Sequence, residues 1–494
     1  MSATRRETLR AALVAVPLLG LVAIGGVVAF HHLPRIVAFW AEALRWPYPF
    51  QGSESLIVWE SGRLARGEGL YVANLPDSHG FVSGPYTPLY YAAVAATLAL
   101  GPPGYTSGRL IALGSWLVLL ALVVALVRSI APNRTGWPPA LLAGLALALF
   151  SPGVIWAVRV KPTIPALALA VLGLLIVQRT YRSARRTYYW ALLLFVAAYF
   201  TKQTTLAAPA AAVLFLLAHA GWRVAARFAI GGVVAVGAPF VLLTLATDGE
   251  AFRHIVSDRR LAWQPQLLLN FGGLFLRDYW PLLAAATIAA VALVLARVPT
   301  VAPYYLLVAA LLVITIGVEG ADHDHLIELA CACALALGCG LAAALAPRAG
   351  LLPLAWVLLP LLVAQVVTGW TPDRWYSGEL RVPDATARRQ LDRIVNNIRG
   401  TPGEVLAEEI GLIVLAGKPV PYDDPQAMAA LSRGGRWDQQ QLLDDLNRQR
   451  FSLVILPANP RDELWTPEVL AAIRANYDLK FRDVWFTWEA KRLR

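Results

Sequence analysis

Apolar runs of about 15–22 residues recur between Ala11 and Gly369, most of them long enough to cross a hydrocarbon core about 30 Å thick. Inside a bilayer every backbone group must be satisfied by the segment itself, so runs of this kind fold as helices. They fall at 11–30, 107–128, 138–157, 162–180, 187–201, 206–220, 228–247, 280–297, 301–318, 325–346 and 350–369. The predicted fold class is a polytopic α-helical membrane protein of about 11 spans. Composition excludes the soluble alternative: 57% of the 494 residues are hydrophobic and 15% charged, against about 25% charged in a typical soluble domain.

The charges thread the topology. Arg128 and Arg134, then Arg179, Arg182, Arg185 and Arg186, then Arg223 and Arg227, then Arg297, then Arg348 lie in short links between runs. An excess of Arg in short links marks the cytoplasmic side, so the formal +11 is no nucleic-acid footprint. The first run follows Arg5, Arg6 and Arg10 without a small-residue cleavage pattern, and reads as a retained helix with a cytoplasmic N-terminus. An odd number of crossings then puts the C-terminus outside. The segment 87–100 is too short for a crossing and precedes Gly101-Pro102-Pro103-Gly104. Counting it would turn the arginine clusters outward, so it is placed as a helix at the outer interface or re-entering from it. Residues 1–370 form the membrane domain, with external loops 31–106 and 248–279.

Beyond Trp370 charges become frequent and apolar runs shorten, and 371–494 reads as an extracytoplasmic α/β domain. GEVLAEE, PVPYDD, FSLVILP and DVWFTWEA look strand-like, while WDQQQLLDDLNRQR and TPEVLAAIRANY, capped by Thr466, look helical. Gly434-Gly435 marks a turn rather than a phosphate loop. Cys331, Cys333 and Cys339 share one apolar helix and read as packing residues.

Three polar groups stand out. The loop Trp46–Tyr91 carries Glu54, placed as a general base at the external face, and ends in Tyr86-Thr87-Pro88-Leu89-Tyr90-Tyr91. Glu60 and Glu68 flank Arg63 and Arg66 at helical spacing and read as their ion-pair partners. Arg159, Lys161 and Lys202 gather at one membrane face. A charge at mid-bilayer costs about 2.5–3.5 kcal/mol and usually faces a cavity, so these cations are expected to hold a lipid-linked phosphate and the charge it gains on leaving. The third group is Glu319, Asp322, His323, Asp324 and His325, with Glu328 one turn on. Asp322, His323 and Asp324 are expected to touch substrate. They are also where a divalent metal would bind if one is used, although i, i+1, i+2 spacing makes a poor metal box.

These pieces, in this order, resemble the C-type glycosyltransferase superfamily, membrane-embedded enzymes that take sugars from polyprenyl-phosphate donors. The nearest subgroup is the bacterial relatives of protein mannosyltransferases and of aminoarabinose transferases. The resemblance rests on Glu54 in GSESLIVWESGRLARGEGLY, the string Tyr86 to Tyr91, the element Lys202-Gln203-Thr204, the segment Asp322 to Glu328, and the C-terminal AGKPV turn and RFSLVILP strand. It implies that Glu54 is the loop carboxylate acting as acid or base, and that Tyr86, Tyr90, Tyr91 and Gln203 line the substrate site. Two departures are plain: Ser53 precedes Glu54 where relatives often have a two-acid pair, and Lys161 stands where an Arg-x-Asp is common.

The expected function is transfer of a sugar from a polyprenyl-phosphate donor to a glycan, lipid or protein acceptor, with inversion, at the outer face of a bacterial cytoplasmic membrane. No cofactor is required by this reading, and no nucleic-acid partner. Two rivals are a transporter or flippase for a lipid-linked or anionic substrate, which predicts internal repeats that the sequence lacks, and a non-catalytic envelope-assembly protein.

Overall fold

The computed structural model describes residues 3–74, 80–98, 104–183, 187–346, 351–370, 380–457, 460, 464–482 and 485–491. The membrane domain runs α1 (Ala3–Arg45), α2 (Gly52–Ala65), α3 (Pro88–Leu98), α4 (Thr106–Ile130), α5 (Trp137–Ala148), α6 (Ser151–Trp156), α7 (Thr163–Thr180), α8 (Trp190–Thr201), α9 (Ala207–Ala220), α10 (Trp222–Ala246), the single turn α11 (Glu250–Phe252), α12 (Pro265–Leu295), α13 (Ala302–Leu312), α14 (His325–Ala344) and α15 (Leu352–Thr368). Among the described residues six helices are long and apolar enough to span a membrane, and five shorter apolar helices accompany them. The chain is a multi-span membrane protein. Arg185, Arg186, Arg348 and Gly101 to Pro103 lie outside the described residues.

Burial orders the bundle. The spanning window of α14 is 94% buried and that of α10 only 6%, so α14 is the central post and α10 faces lipid. Small residues let neighbours close on that post: a Cβ at Gly338 would sit 2.6 Å from Ala143 and 2.7 Å from Val127, the close approach that membrane helices use. At about 1.5 Å per residue the 11 residues of α3 are too short to span, in keeping with the expected interfacial helix.

Three boundaries differ from expectation. First, α1 continues to Arg45 instead of ending near residue 30, because Ile36, Phe39 and Ala43 keep the helical period and are buried. The expected loop 31–106 is therefore helical at its start. Second, α12 begins at Pro265, a residue suited to the first helical turn, and takes Arg277 and Asp278 out of the expected loop 248–279. Third, the expected span 138–157 is broken between α5 and α6, with Pro152 in the first turn of α6.

The C-terminal domain contains α16 (Ala385–Gly400), β1 (Glu404–Ala407), α17 (Gly411–Leu415), α18 (Pro425–Arg433), α19 (Gln440–Asn447), β2 (Phe451–Pro457), α20 (Pro467–Asn476), β3 (Tyr477–Arg482) and β4 (Trp485–Ala490). The sheet order is β1-β2-β4-β3, with β1 parallel and β4 antiparallel to β2. The unbroken apolar run of β2 suits a strand covered on both faces. Thr466 caps α20 by accepting the Val469 N–H at 3.4 Å, as its position in the sequence predicts. PVPYDD is not a strand of this sheet: Tyr422 makes an isolated parallel bridge with Phe81, across to the membrane domain.

The two domains share packing. Trp46, Tyr48 and Leu56 lie in one cluster with Ile394, Val405 and Ile413. At Gly411 a Cβ would overlap the hydroxyls of Tyr105 and Ser55. Gly411→Ala is therefore expected to cost about 1–3 kcal/mol through overpacking and to loosen the domain on α2. Limited proteolysis would show faster release of the C-terminal domain with the bundle intact.

Candidate functional site

The polar residues singled out in the sequence meet at the end of the bundle that carries the C-terminal domain, but they divide into two clusters. In the first, Glu54 is fully buried in the first turn of α2 and faces Arg109 of α4. Its Oε1 accepts from Arg109 Nε at 3.1 Å and from the Val160 N–H at 2.9 Å. Its Oε2 accepts from Arg109 Nη2 at 3.1 Å and from the Phe50 N–H at 2.7 Å. Burial would raise this carboxyl, but the Arg109 guanidinium prevails and holds it below its ordinary value, with a smaller contribution from Arg159. Arg109 and Arg159 both lie over the Phe50 ring, at 4.4 and 3.8 Å from its centroid.

That geometry bears on the expected base. Each Glu54 oxygen already accepts two hydrogen bonds, and the residue has no exposed surface. A proton from an acceptor could reach it only by displacing Arg109 or a backbone amide. Glu54 fixes the start of α2 against α4 and the 159–161 link. Arg109, which makes this possible, escaped the sequence reading because it sits in the first turn of a helix read simply as a span.

The second cluster is more open. Lys161, on the link before α7, places Nζ 3.3 Å from Tyr86 Oη and over the rings of Tyr86 and Trp156. Among the described residues no carboxylate lies within 4.0 Å of it. Burial pulls the Lys161 ammonium down, but Tyr86, Asp324 and Asp322 outweigh it and raise its pKa, so it stays charged. Lys202, just past α8, is committed: its Nζ donates to Asp324 Oδ2 at 2.8 Å and to Thr163 Oγ1 at 2.7 Å. Thr163 in turn donates to the same Asp324 oxygen at 2.5 Å. The three expected phosphate cations thus serve different ends: Lys202 is paired with Asp324, Arg159 lies over Phe50, and Lys161 meets Tyr86.

Asp322 takes the His323 backbone N–H at 2.7 Å and the His323 imidazole on Oδ1. Burial would raise its carboxyl, but the bond from His323 keeps it lowered and ionised. Its side chain is 33% exposed, the most accessible carboxylate of the two clusters. His323 stacks edge-on against Phe271 at 4.5 Å, and Glu328 accepts from Tyr305 Oη at 3.2 Å. Asp324 is spent on Lys202 and Thr163, and among the described residues no three His, Cys, Asp or Glu side chains converge as metal ligands.

Other expected contacts move inward. Tyr90 and Tyr91 are buried with Ile57, Val58 and Val94 beneath α2, because α3 turns that face to the core, so they do not line the site. Gln203 Nε2 donates to the Pro85 carbonyl at 2.8 Å, supporting the strand of chain that carries Tyr86. Glu60 does not pair with Arg63 but accepts the Gly84 N–H, whereas Glu68 does bind Arg66 at 2.5 Å. From the C-terminal domain, Glu409 accepts from Ser55 Oγ at 2.5 Å and from the Gly411 N–H at 3.1 Å.

No protein-family model and no curated protein matches the chain. Solved structures do. The chain is 14% identical to ArnT from Cupriavidus metallidurans bound to undecaprenyl phosphate, with a TM-score of 0.60 over 95% of this chain and 99% of that one. Against the same protein in the apo state the identity is 12% and the TM-score 0.61, over 94% and 98%. At such identities the likeness is one of architecture, and over nearly its whole length this chain has the fold of ArnT.

Proposed function

We propose that this protein transfers a sugar from a polyprenyl-phosphate donor to an acceptor at the outer face of a bacterial cytoplasmic membrane. The observation that carries this reading is Lys161: a charged ammonium with no carboxylate within 4.0 Å among the described residues, held by Tyr86 and Trp156 beside the Lys202–Asp324 pair. An anion is what such a group lacks, and the ArnT structure of the same fold was solved with undecaprenyl phosphate. The arginine-rich helix ends Arg128, Arg179 and Arg297 lie opposite the site, which supports an outward-facing site by the positive-inside bias.

In the proposed step the acceptor oxygen attacks the anomeric carbon from the face opposite the phosphate. The C–O bond to phosphate breaks, its electron pair leaves with the phosphate, and the configuration inverts. Lys161 neutralises the developing charge. Asp322 takes the acceptor's proton, since the Glu54 carboxylate is saturated and Asp324 is paired.

The test is release of polyprenyl phosphate from labelled donors by purified protein in lipid, with membrane extract as acceptor. Asp322→Asn is expected to lower turnover by about 10²–10⁴ while donor binding persists, the range of a lost general base. Turnover that survives this change, or donor bound tightly and never consumed by the wild type, would sink the mechanism or the transferase reading respectively.

A further inference from the structure

Ser83 is buried, and each of its polar atoms is engaged by a different part of the chain. Its N–H donates to Asp423 Oδ1 at 3.0 Å and its hydroxyl to Asp424 Oδ2 at 2.7 Å, both acceptors on the C-terminal domain. The hydroxyl accepts from Arg259 Nη2 at 3.0 Å, and the carbonyl lies 2.9 Å from His254 Nδ1. The next N–H, of Gly84, donates to Glu60 Oε1 of α2 at 2.5 Å. Gly84 has φ of 48°, and a Cβ there would lie 2.8 Å from His254, so only glycine suits this crossing of chains. Phe81 adds a backbone bond to Pro421 at 2.8 Å.

From this knot the chain runs straight into the Lys161 site. Pro85 is held by Gln203, the Tyr86 carbonyl by Tyr71 Oη at 2.7 Å, and Thr87 donates to the Tyr199 carbonyl at 2.8 Å. Between them the Tyr86 hydroxyl meets Lys161. Every residue from 83 to 87 is pinned, so a shift at Ser83 is passed along a segment with no slack.

The knot is costly as mere packing. Glu60 and Asp423 are buried carboxylates, and apolar residues of similar shape would stabilise the same contact at least as well. We infer that Asp423, on the C-terminal domain, is a positioning residue for the Lys161 site, acting through Ser83 to set the Tyr86 hydroxyl against the Lys161 ammonium. The inference rests on the proposed function only where it concerns donor use; the positioning itself is independent of it.

The knot also titrates. Burial pushes Glu60 up to about 7 and Asp423 well above its ordinary value, each further raised by neighbouring acids. The groups facing them are Asp424 from the domain, Arg63 from α2, Arg259 and His254 from the segment after α10, and Tyr71 and Tyr91. For acids whose folded pKa is raised, stability is full below the unfolded value and is lost as pH rises through the folded one. The knot therefore tightens below about pH 7 and loosens above it.

The test is amine labelling of Lys161 in the full-length protein in lipid, read by mass spectrometry as a ratio to Lys480 in the same molecules. In the wild type the ratio is expected to rise as pH passes through about 7. Asp423→Ala should raise it about tenfold at pH 6 and raise the donor KM with kcat less affected, since a misplaced contact far from the chemistry has effects of that order or more. Asp423→Asn keeps the acceptor for Ser83, and with Glu60→Gln added both titrating acids are gone, so the ratio of the double variant should stay low and flat with pH. A folded Asp423→Ala protein with the wild-type ratio overturns the inference. If that variant does not fold, a profile of the Asp423→Asn, Glu60→Gln double variant that still follows the wild type overturns it instead. Absence of sugar transfer by any variant would count against the transferase reading and leave the labelling result standing.

Discussion

Arg109→Met is expected to cost about 3–5 kcal/mol, the range for breaking a buried ion pair from one side, a large share of a net stability of about 5–15 kcal/mol. Arg109 has no exposed surface. Beyond its two bonds to Glu54 it donates to the carbonyls of Ala43, Trp46 and Tyr48, at 3.0, 2.6 and 2.7 Å. The Trp46 and Tyr48 carbonyls lie in the turn from α1 into α2, outside the helix ladder, while that of Ala43, in the last turn of α1, also accepts the Trp46 N–H. Methionine fills much of the volume but takes the side-chain donor from the Trp46 and Tyr48 carbonyls and leaves the Glu54 carboxylate with the Val160 and Phe50 amides but without its guanidinium partner, and each loss carries its own desolvation cost. Thermal unfolding in detergent micelles is the measurement. Adding Glu54→Leu to Arg109→Met should recover part of the loss, because the stranded charge goes with it. A single variant as stable as wild type would show that this pair does not hold α2.

The same geometry changes how an inactive Glu54→Gln would be read. A general base lost from an otherwise intact site lowers turnover and spares stability. Glu54→Gln is instead expected to lower both, because an amide cannot accept from all four donors that Glu54 now serves.

How much of this was legible follows from what each feature depends on. The helices were legible because length and apolarity are local; even the exclusion of 87–100 survives as the short α3. The limits of α1 and α12 were not, since Ile36, Phe39 and Pro265 extend helices through residues that hydropathy alone counts as loop. Glu54, Lys161 and Lys202 were found as charges out of place. Their partners were not: Lys202 meets Asp324 at a sequence separation of 122, and Ser83 meets Asp423 at 340. Such pairs belong to the fold and leave no mark in local spacing. Arg109 shows the limit most plainly, for an arginine at a helix end ordinarily snorkels to the interface, and only packing against α2 turns it inward.

Lys161→Met strikes the residue on which the proposed reaction rests. It should lower turnover by about 10²–10³, the range for removing one preorganised group from a developing oxyanion, and weaken binding of undecaprenyl phosphate. Stability should hardly change, because Lys161 has no acid to strand and its stem already lies against Tyr86 and Trp156. Lys161→Arg keeps the charge and should recover part of the activity. Lys202→Met makes the control, since it strands Asp324 and Thr163 and should fail in unfolding as well as in turnover. Binding titrations and unfolding curves on the three variants separate the roles. Loss of binding with a normal fold in Lys161→Met, and loss of fold in Lys202→Met, is the pattern that a phosphate-binding Lys161 beside a structural Lys202 requires. The reverse pattern would exchange the two roles, and undiminished turnover in Lys161→Met would remove the observation on which the proposed function stands.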